Sequence, residues 1–96
     1  MLFALVANDK PGGLAERLRH RPAHLAHLEA LGETVVYGGP LLDAEGNPNG
    51  SLVIIEAADQ ADAERIFAAD PYMINAVFAD HAIRPFRQVF NNTVRG

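Results

Sequence analysis

The sequence contains no cysteine, and this absence excludes several kinds of chemistry at once. Without thiols the chain can form no disulfide, no thiolate nucleophile and no zinc–thiolate site. Long hydrophobic runs are also absent, because the apolar stretches fall far short of the ~20 residues that a membrane span needs. The first stretch, in MLFALVANDKPGG, has no preceding positive charge and no small-residue cleavage site, so we interpret it as a strand. We therefore expect a cytoplasmic protein with no membrane partner.

Positive charge is in the minority, with 8 Lys and Arg against 12 Asp and Glu and a net charge of −4. This balance disfavours a nucleic-acid partner, which would be bound by neutralising phosphates. The 96 residues contain no visible repeat, low-complexity tract or linker, so we expect a single domain over residues 1–96. A chain this short has a thin core. Its 49% of apolar residues therefore indicates a second buried surface.

Strands and helices are predicted from the apolar runs and from the turn residues that separate them. The predicted strands cover residues 2–7, 34–37, 51–56 and 77–90. The second strand stops at Gly38-Gly39-Pro40, the polar segment 41–49 forms a hairpin connection, and the fourth strand is interrupted near Pro85. Pro22 is predicted to separate a short helix at 14–19 from a second helix at 22–31. A further helix opens at Asp59 or Gln60, and Asp70 is placed to cap the turn that begins at Pro71.

The order strand, helix, strand, strand, helix, strand predicts an α+β fold of the ferredoxin-like βαββαβ type, with an antiparallel four-stranded sheet. Helices cover only one face of such a sheet, yet the first and third strands are apolar on both faces. A second copy of the chain, packed sheet to sheet, would cover the other face. We expect a homodimer that buries at least ~1,600 Å². The pattern leaves open whether Ile54 or Ile55 faces the partner.

Four histidines are the first candidates for chemistry, and three of them lie at helical spacing: His20, His24 and His27. On an unbroken helix these three could bind a metal, but the predicted break at Pro22 and the lack of a matching carboxylate favour no metal site. His24 lies in the first turn predicted after Pro22. There the helix dipole favours the neutral ring that a general base needs. The alternative is a partly buried histidine without a task.

Two further residues have both a structural and a functional interpretation. Asp70 can be only a helix cap, or its carboxylate can bind the ring of His24 and fix the tautomer. Arg21 can bind an anionic substrate or be solvated.

Ser51 is not part of a G-x-S-x-G motif, and no dinucleotide-binding glycine motif is present. We therefore expect neither a serine hydrolase nor a nucleotide cofactor.

Five short motifs occur in an order that resembles the YCII-related family: Arg21-Pro22-Ala23-His24-Leu25, Gly39-Pro40, Gly50-Ser51, Asp70-Pro71-Tyr72 and Pro85-Phe86. The resemblance extends from the first strand to Phe90. It implies a dimeric α+β barrel with a cleft in each subunit, where His24 and Asp70 meet as a catalytic dyad. Arg21, Ser51 and Tyr72 would then bind the substrate.

Three functions remain open at this point. The first is a cofactor-independent enzyme in which His24 and Asp70 transfer protons on a small organic molecule, by elimination or isomerisation, as in dehydrochlorinases or muconolactone isomerases. The second is a non-catalytic module that binds or senses a small molecule in the same cleft. The third is a protein-interaction subunit in which the motifs serve only the fold. Neither a metal nor an organic cofactor is expected in any of them.

Overall fold

The computed structural model of the protein describes residues 1–92. Its elements in chain order are β1 (Leu2–Asp9), α1 (Leu14–Leu31), a 3-10 turn (Gly32–Thr34), β2 (Val35–Leu42), β3 (Pro48–Glu56), α2 (Gln60–Ala68), α3 (Pro71–Ile74) and β4 (Phe78–Phe86). The strands form one antiparallel sheet in the order β2-β3-β1-β4. The predicted α+β, ferredoxin-like βαββαβ fold is confirmed, and it is the fold of the dimeric α+β barrel class.

The core lies between the helices and one face of the sheet. Side chains alternate along a strand, so Phe3, Leu5 and Ala7 of β1 and Val53 and Ile55 of β3 all point to the helical side. These residues pack with Ala63 and Phe67 of α2 and with Tyr72, Val77 and Phe78 beyond it. The intervening residues of both strands point to the opposite, open face.

Contrary to prediction, α1 is a single helix of 18 residues with Pro22 inside it. Proline has no N–H group, so it cannot donate the helical hydrogen bond to the carbonyl group four residues earlier. In the interior of a helix this destabilises the helix by ~3 kcal/mol. The remaining turns of α1 and its packing against α3 offset this cost. As a result His24 lies in the middle of a helix. The prediction that His24 lies in the first turn of a helix was wrong.

The outer strands also differ from prediction. Strand β2 continues through Gly38-Gly39-Pro40 to Leu42, β3 begins at Pro48, and the loop between them shrinks to residues 43–47. Strand β4 includes Pro85 and ends at Phe86, short of the predicted residue 90. Both β2 and β4 are edge strands. An edge strand tolerates proline because half of its N–H groups need no partner.

The cap predicted at Asp70 is confirmed, and the helix predicted to open at Asp59 or Gln60 has Asp59 as its cap. The side chain of Asp59 accepts a hydrogen bond from the backbone of Asp62 at the start of α2, and Asp70 caps α3 with Pro71 in the first helical position. Within residues 1–92, no helix is long and apolar enough to cross a membrane.

Candidate active site

Helix α1 buries polar side chains and exposes apolar ones. Its buried residues are Arg17 and His24, which are 4% and 7% exposed, whereas Leu18 is 52% exposed. A helix that only stabilised the core would bury its leucines instead. Since burying polar groups costs free energy unless they are hydrogen-bonded, the buried face of α1 indicates a functional site.

His24 and Asp70 form a buried pair, although they are 46 positions apart in the sequence. Nδ1 of His24 lies 2.8 Å from both Oδ1 and Oδ2 of Asp70. The backbone nitrogen of Tyr72 also donates to Oδ1, at 2.9 Å. Asp70 therefore caps α3 and contacts His24, so the two interpretations of Asp70 are compatible. An ionised carboxylate only accepts hydrogen bonds, so Nδ1 of His24 is the donor when Asp70 is ionised.

Tyr72 holds the plane of the His24 ring. The two rings are stacked with their centroids 3.9 Å apart and their planes 10° from parallel. Tyr72 in turn meets the edge of Phe78, at 5.8 Å between centroids. Burial raises the pKa of the Tyr72 hydroxyl above its usual value of 10.0, and this effect outweighs the lowering by Arg17 and Arg21. The hydroxyl thus stays protonated at physiological pH.

Arg17 links three parts of the site through its guanidinium group. Nη1 donates to Oδ1 of Asp9 at 2.9 Å, and Nη2 donates to Oγ of Ser51 at 2.8 Å. Its Cζ lies 4.7 Å from the centroid of the Tyr72 ring, which is a cation–π contact. The guanidinium group therefore joins β1, β3 and α3.

Arg17 and Asp9 are absent from the residues predicted from the sequence, although a signal for Arg17 exists. Arg17, Arg21 and His24 have the spacing i, i+4, i+7, which places them on one face of a continuous helix. The predicted break at Pro22 concealed that face. For Asp9 no local signal exists, because in the sequence it belongs to a cluster of turn residues after the predicted strand, although β1 extends to it.

Asp9 is a buried carboxylate with one unpaired oxygen. Burial raises the pKa of Asp9 above its usual value of 3.8, and Arg17 lowers it by a smaller amount. Oδ1 accepts from Arg17, while Oδ2 is buried without a hydrogen-bond partner among residues 1–92. Desolvation thus dominates the electrostatics of this carboxyl group.

A cavity of about 280 Å³ lies between α1 and the adjoining strands β2 and β3. Its polar lining consists of Arg17, Arg21, His24, Ser51 and Tyr72. Arg21 is exposed and Ser51 is buried. The structure thus brings together His24 and the three residues predicted to bind substrate, while Asp70 lies outside the lining and contacts His24. Within the described chain, Nε2 of His24 makes no hydrogen bond, so it is the ring nitrogen available to a bound molecule.

The other two histidines of α1 do not join this site. Nε2 of His20 lies 3.4 Å from Oε2 of Glu16, and His27 is half-buried and does not line the cavity. In the part of the chain that the structure describes, no group of three or more His, Asp and Glu side chains could hold a metal ion. The continuous helix does place the three histidines at the spacing that the metal alternative required, but the Nδ1 nitrogen of His24 is bound to Asp70.

The family model of the YCII-related domain matches residues 1–87. Protein YciI of Escherichia coli is 35% identical, and the alignment covers 94% of this chain and all of that protein. The solved structure of 5-chloro-2-hydroxyhydroquinone dehydrochlorinase from Burkholderia phenoliruptrix, in complex with 2,5-dihydroxybenzoquinone, superposes with a TM-score of 0.88 at 31% identity, covering 93% of this chain and 96% of that one. A cofactor-independent oxygenase of Streptomyces nogalater, SnoaB, shares the fold alone, with a TM-score of 0.54 at 17% identity over 92% and 93% of the two chains.

Proposed function

The chain belongs to the YCII-related family, and from this premise we propose that it is a cofactor-independent enzyme in which His24 and Asp70 transfer protons on a small organic molecule. One observation carries the proposal: Nδ1 of buried His24 is held at 2.8 Å from Asp70, while Nε2 is left for the cavity. Asp70 orients the ring and stabilises the imidazolium that forms when Nε2 takes a proton. Positioned general bases contribute about 10²–10⁴-fold to a rate.

The reaction class that suits this arrangement is elimination or isomerisation. In elimination, Nε2 of His24 removes a substrate proton, the electron pair left behind forms a double bond, and the leaving group departs with the electrons of its own bond. In isomerisation, the imidazolium returns the proton to a different atom. Both reactions are redox-neutral, so neither needs an oxidant, a reductant or a nucleotide.

The substrate we propose is a small ring compound that carries oxygen. The dehydrochlorinase of Burkholderia phenoliruptrix was solved with 2,5-dihydroxybenzoquinone, and it shares 31% identity with this chain. A cavity of about 280 Å³ accommodates one such ring. Arg21 and Ser51 would bind the oxygen atoms of the substrate, and Tyr72 would donate from its protonated hydroxyl.

The proposal is tested with a chlorinated hydroquinone as substrate and chloride release as the measurement. His24→Gln should lower kcat by about 10²–10⁴-fold, while leaving the binding of 2,5-dihydroxybenzoquinone detectable as ligand-dependent melting. His27→Gln is the matched control, because it changes a histidine on the same helix outside the cavity, and it should retain activity. Equal activity of the two variants would overturn the role of His24. Binding by the wild type without any turnover would favour the alternative, a module that binds small molecules without catalysis.

We also propose that the protein acts as a homodimer joined through the open face of the sheet. This face consists of Leu2, Ala4 and Val6 of β1, Leu52 and Ile54 of β3, and Tyr37 and Phe86 of the edge strands. Val6 and Tyr37 are 45% and 53% exposed, and a groove of about 260 Å³ crosses the face beside Ile54. A second copy of the chain would cover these apolar groups, in keeping with the dimeric α+β barrel class of the fold.

A further inference from the structure

We infer that Arg17 and Ser51 form an anion-stabilising wall in the cavity, and that the substrate is a phenol or enol bound as its oxyanion; this inference rests on the proposed role of His24. The hydroxyl group of Ser51 carries the first part of the argument. Its Oγ accepts a hydrogen bond from Nη2 of Arg17 at 2.8 Å. Arginine has no acceptor atom, so the hydroxyl proton of Ser51 cannot be donated back to Arg17.

Within residues 1–92 the Ser51 hydroxyl has no acceptor for that proton, which is therefore available to a group in the cavity. Ser51 is 2% exposed, lines the cavity, and makes no other side-chain hydrogen bond within residues 1–92. A buried hydroxyl donor without an acceptor costs free energy. A substrate oxygen placed against Ser51 would remove this cost, and an oxyanion would do so best because it is the strongest acceptor.

Arg17 makes Ser51 a stronger donor. The guanidinium group stays charged in proteins, and its two branches are held by separate partners, Asp9 and Ser51. A hydroxyl that accepts a bond from a cation is polarised, so its own proton forms a stronger bond. Asp9 is thus a positioning residue: it fixes the guanidinium from outside the cavity and touches no substrate.

The charge of the cavity lining also favours an anionic ligand. The charged side chains that line the cavity are Arg17 and Arg21, in a chain whose net charge is −4. No Asp or Glu of residues 1–92 lines it, and Asp9 pairs with Arg17 from outside the lining. Low-dielectric walls that carry one sign of charge concentrate ligands of the opposite sign. The two residues would then act on the same substrate group. Nε2 of His24 takes the proton from the substrate hydroxyl, and the O–H of Ser51 binds the oxygen anion that remains.

The test uses 4-nitrophenol, whose anion has a visible absorption band and which has no leaving group to lose. Bound to the wild type, it should ionise at a lower pH than in solution, and the protein should bind the phenolate in preference to neutral 4-nitroanisole. Ser51→Ala should reduce the ratio of phenolate to phenol affinity by about 10- to 100-fold, the size of one charge-assisted hydrogen bond. Arg17→Lys, which keeps the charge but cannot join both partners, should reduce the ratio as well.

Arg19→Gln is the matched control, since Arg19 lies on α1 next to Glu16 and does not line the cavity. It should leave the affinity ratio unchanged. A full phenolate preference in Ser51→Ala, an equal effect of Arg19→Gln, or no phenolate binding by the wild type would overturn the inference. His24→Gln separates the two proposals: it should lower turnover by about 10²–10⁴-fold and keep the preference for the phenolate. Turnover at the wild-type rate in His24→Gln would refute the proton-transfer proposal and leave the anion site standing.

Discussion

Asp70 performs two structural tasks with one carboxyl group. Its Oδ1 accepts from the backbone of Tyr72 and also lies 2.8 Å from Nδ1 of His24. The cap fixes the position of the carboxylate, and the carboxylate then orients the imidazole. The stability of α3 and the tautomer of His24 therefore both depend on Asp70. A substitution that keeps the helix cap but changes the contact with His24 separates these two roles.

Asp70→Asn is that substitution. Asparagine caps a helix as well as aspartate does, so the free energy of unfolding should fall by less than about 1 kcal/mol. The amide can donate to Nδ1, which would move the ring proton to Nε2 and block the base. Activity should fall by about 10²–10⁴-fold, and ¹⁵N NMR of the His24 ring should report the changed tautomer. Asp59→Asn changes the cap of α2, which has no histidine partner, and should leave activity and the ring unaltered. An unchanged tautomer in Asp70→Asn would show that the pair is not coupled.

The stability of the folded chain should also depend on the protonation of Asp9. Burial raises the pKa of Asp9, so the folded protein holds this proton to a higher pH than the unfolded chain, in which the pKa is ~3.9. Ionisation of Asp9 therefore destabilises the fold. The free energy of unfolding falls as the pH rises from the unfolded pKa of Asp9 to its folded pKa, and this contribution is constant at higher pH. The free energy of unfolding of the wild type, minus that of Asp9→Asn, should fall as the pH rises in urea titrations from about pH 3 to 7.

Asp62 provides a control with the opposite sign. A hydrogen bond from the backbone of Ala58 lowers the pKa of Asp62. Its ionised form therefore stabilises the fold above the unfolded pKa, and this stability is lost as the pH falls. The difference between the wild type and Asp62→Asn should rise with pH. Parallel slopes for the two substitutions would contradict the assignment for Asp9.

At the scale of elements, the approach of β3 to β1 depends on one glycine. A Cβ atom at Gly50 would lie 2.5 Å from the carbonyl oxygen of Ala7, on the neighbouring strand. This glycine directly precedes Ser51, so the same close approach sets the position of the hydroxyl in the cavity. Gly39 on β2 is different, because an added Cβ would meet nothing within 4 Å.

Gly50→Ala should therefore lower the free energy of unfolding by ~1–3 kcal/mol, the usual cost of overpacking. Gly39→Ala should change it by no more than about 0.5 kcal/mol, as is typical of substitutions away from packed groups. Urea denaturation of both variants measures the difference. Equal losses of stability in the two variants would show that the close contact between Gly50 and Ala7 does not make an added Cβ atom destabilising.

At the scale of the whole molecule, the sheet has a packed face and an open face, and neighbouring isoleucines of β3 lie on opposite sides. Ile55 is fully buried against the helices, whereas Ile54 lies on the open face beside Tyr37. The proposed partner therefore meets Ile54. This assignment resolves the choice between Ile54 and Ile55 that the sequence left open.

Ile54→Asp should dissociate the dimer without unfolding the subunit, since an unpaired charge in an apolar interface is costly. Light scattering at micromolar concentration should give the dimer mass for the wild type and the monomer mass for the variant. Ile74→Asp is the matched control, because Ile74 is 68% exposed on α3, away from the open face, and this variant should remain dimeric. A monomeric wild type would refute the proposed dimer.

From the sequence it was possible to predict the order of the elements, the cap at Asp70, and the candidates His24, Asp70, Arg21 and Ser51, with Tyr72 added by the family resemblance. These features depend on local signals, namely apolar periodicity, turn residues and capping side chains, which act within a few positions along the chain. The second apolar surface was also predictable from the sequence, because side chains alternate between the two faces of a strand with a period of two.

How those elements and residues meet depends on contacts between distant segments of the chain. Local preference ends a helix near Pro22, but packing against α3 keeps α1 continuous, and this continuity brings Arg17 onto the face of His24. The contacts of Arg17 with Asp9 and Ser51 join three elements across the fold, and no local pattern encodes a contact between distant segments. For the same reason the alternation in β3 showed two apolar faces, but only the packing of the helices decided which of them is covered.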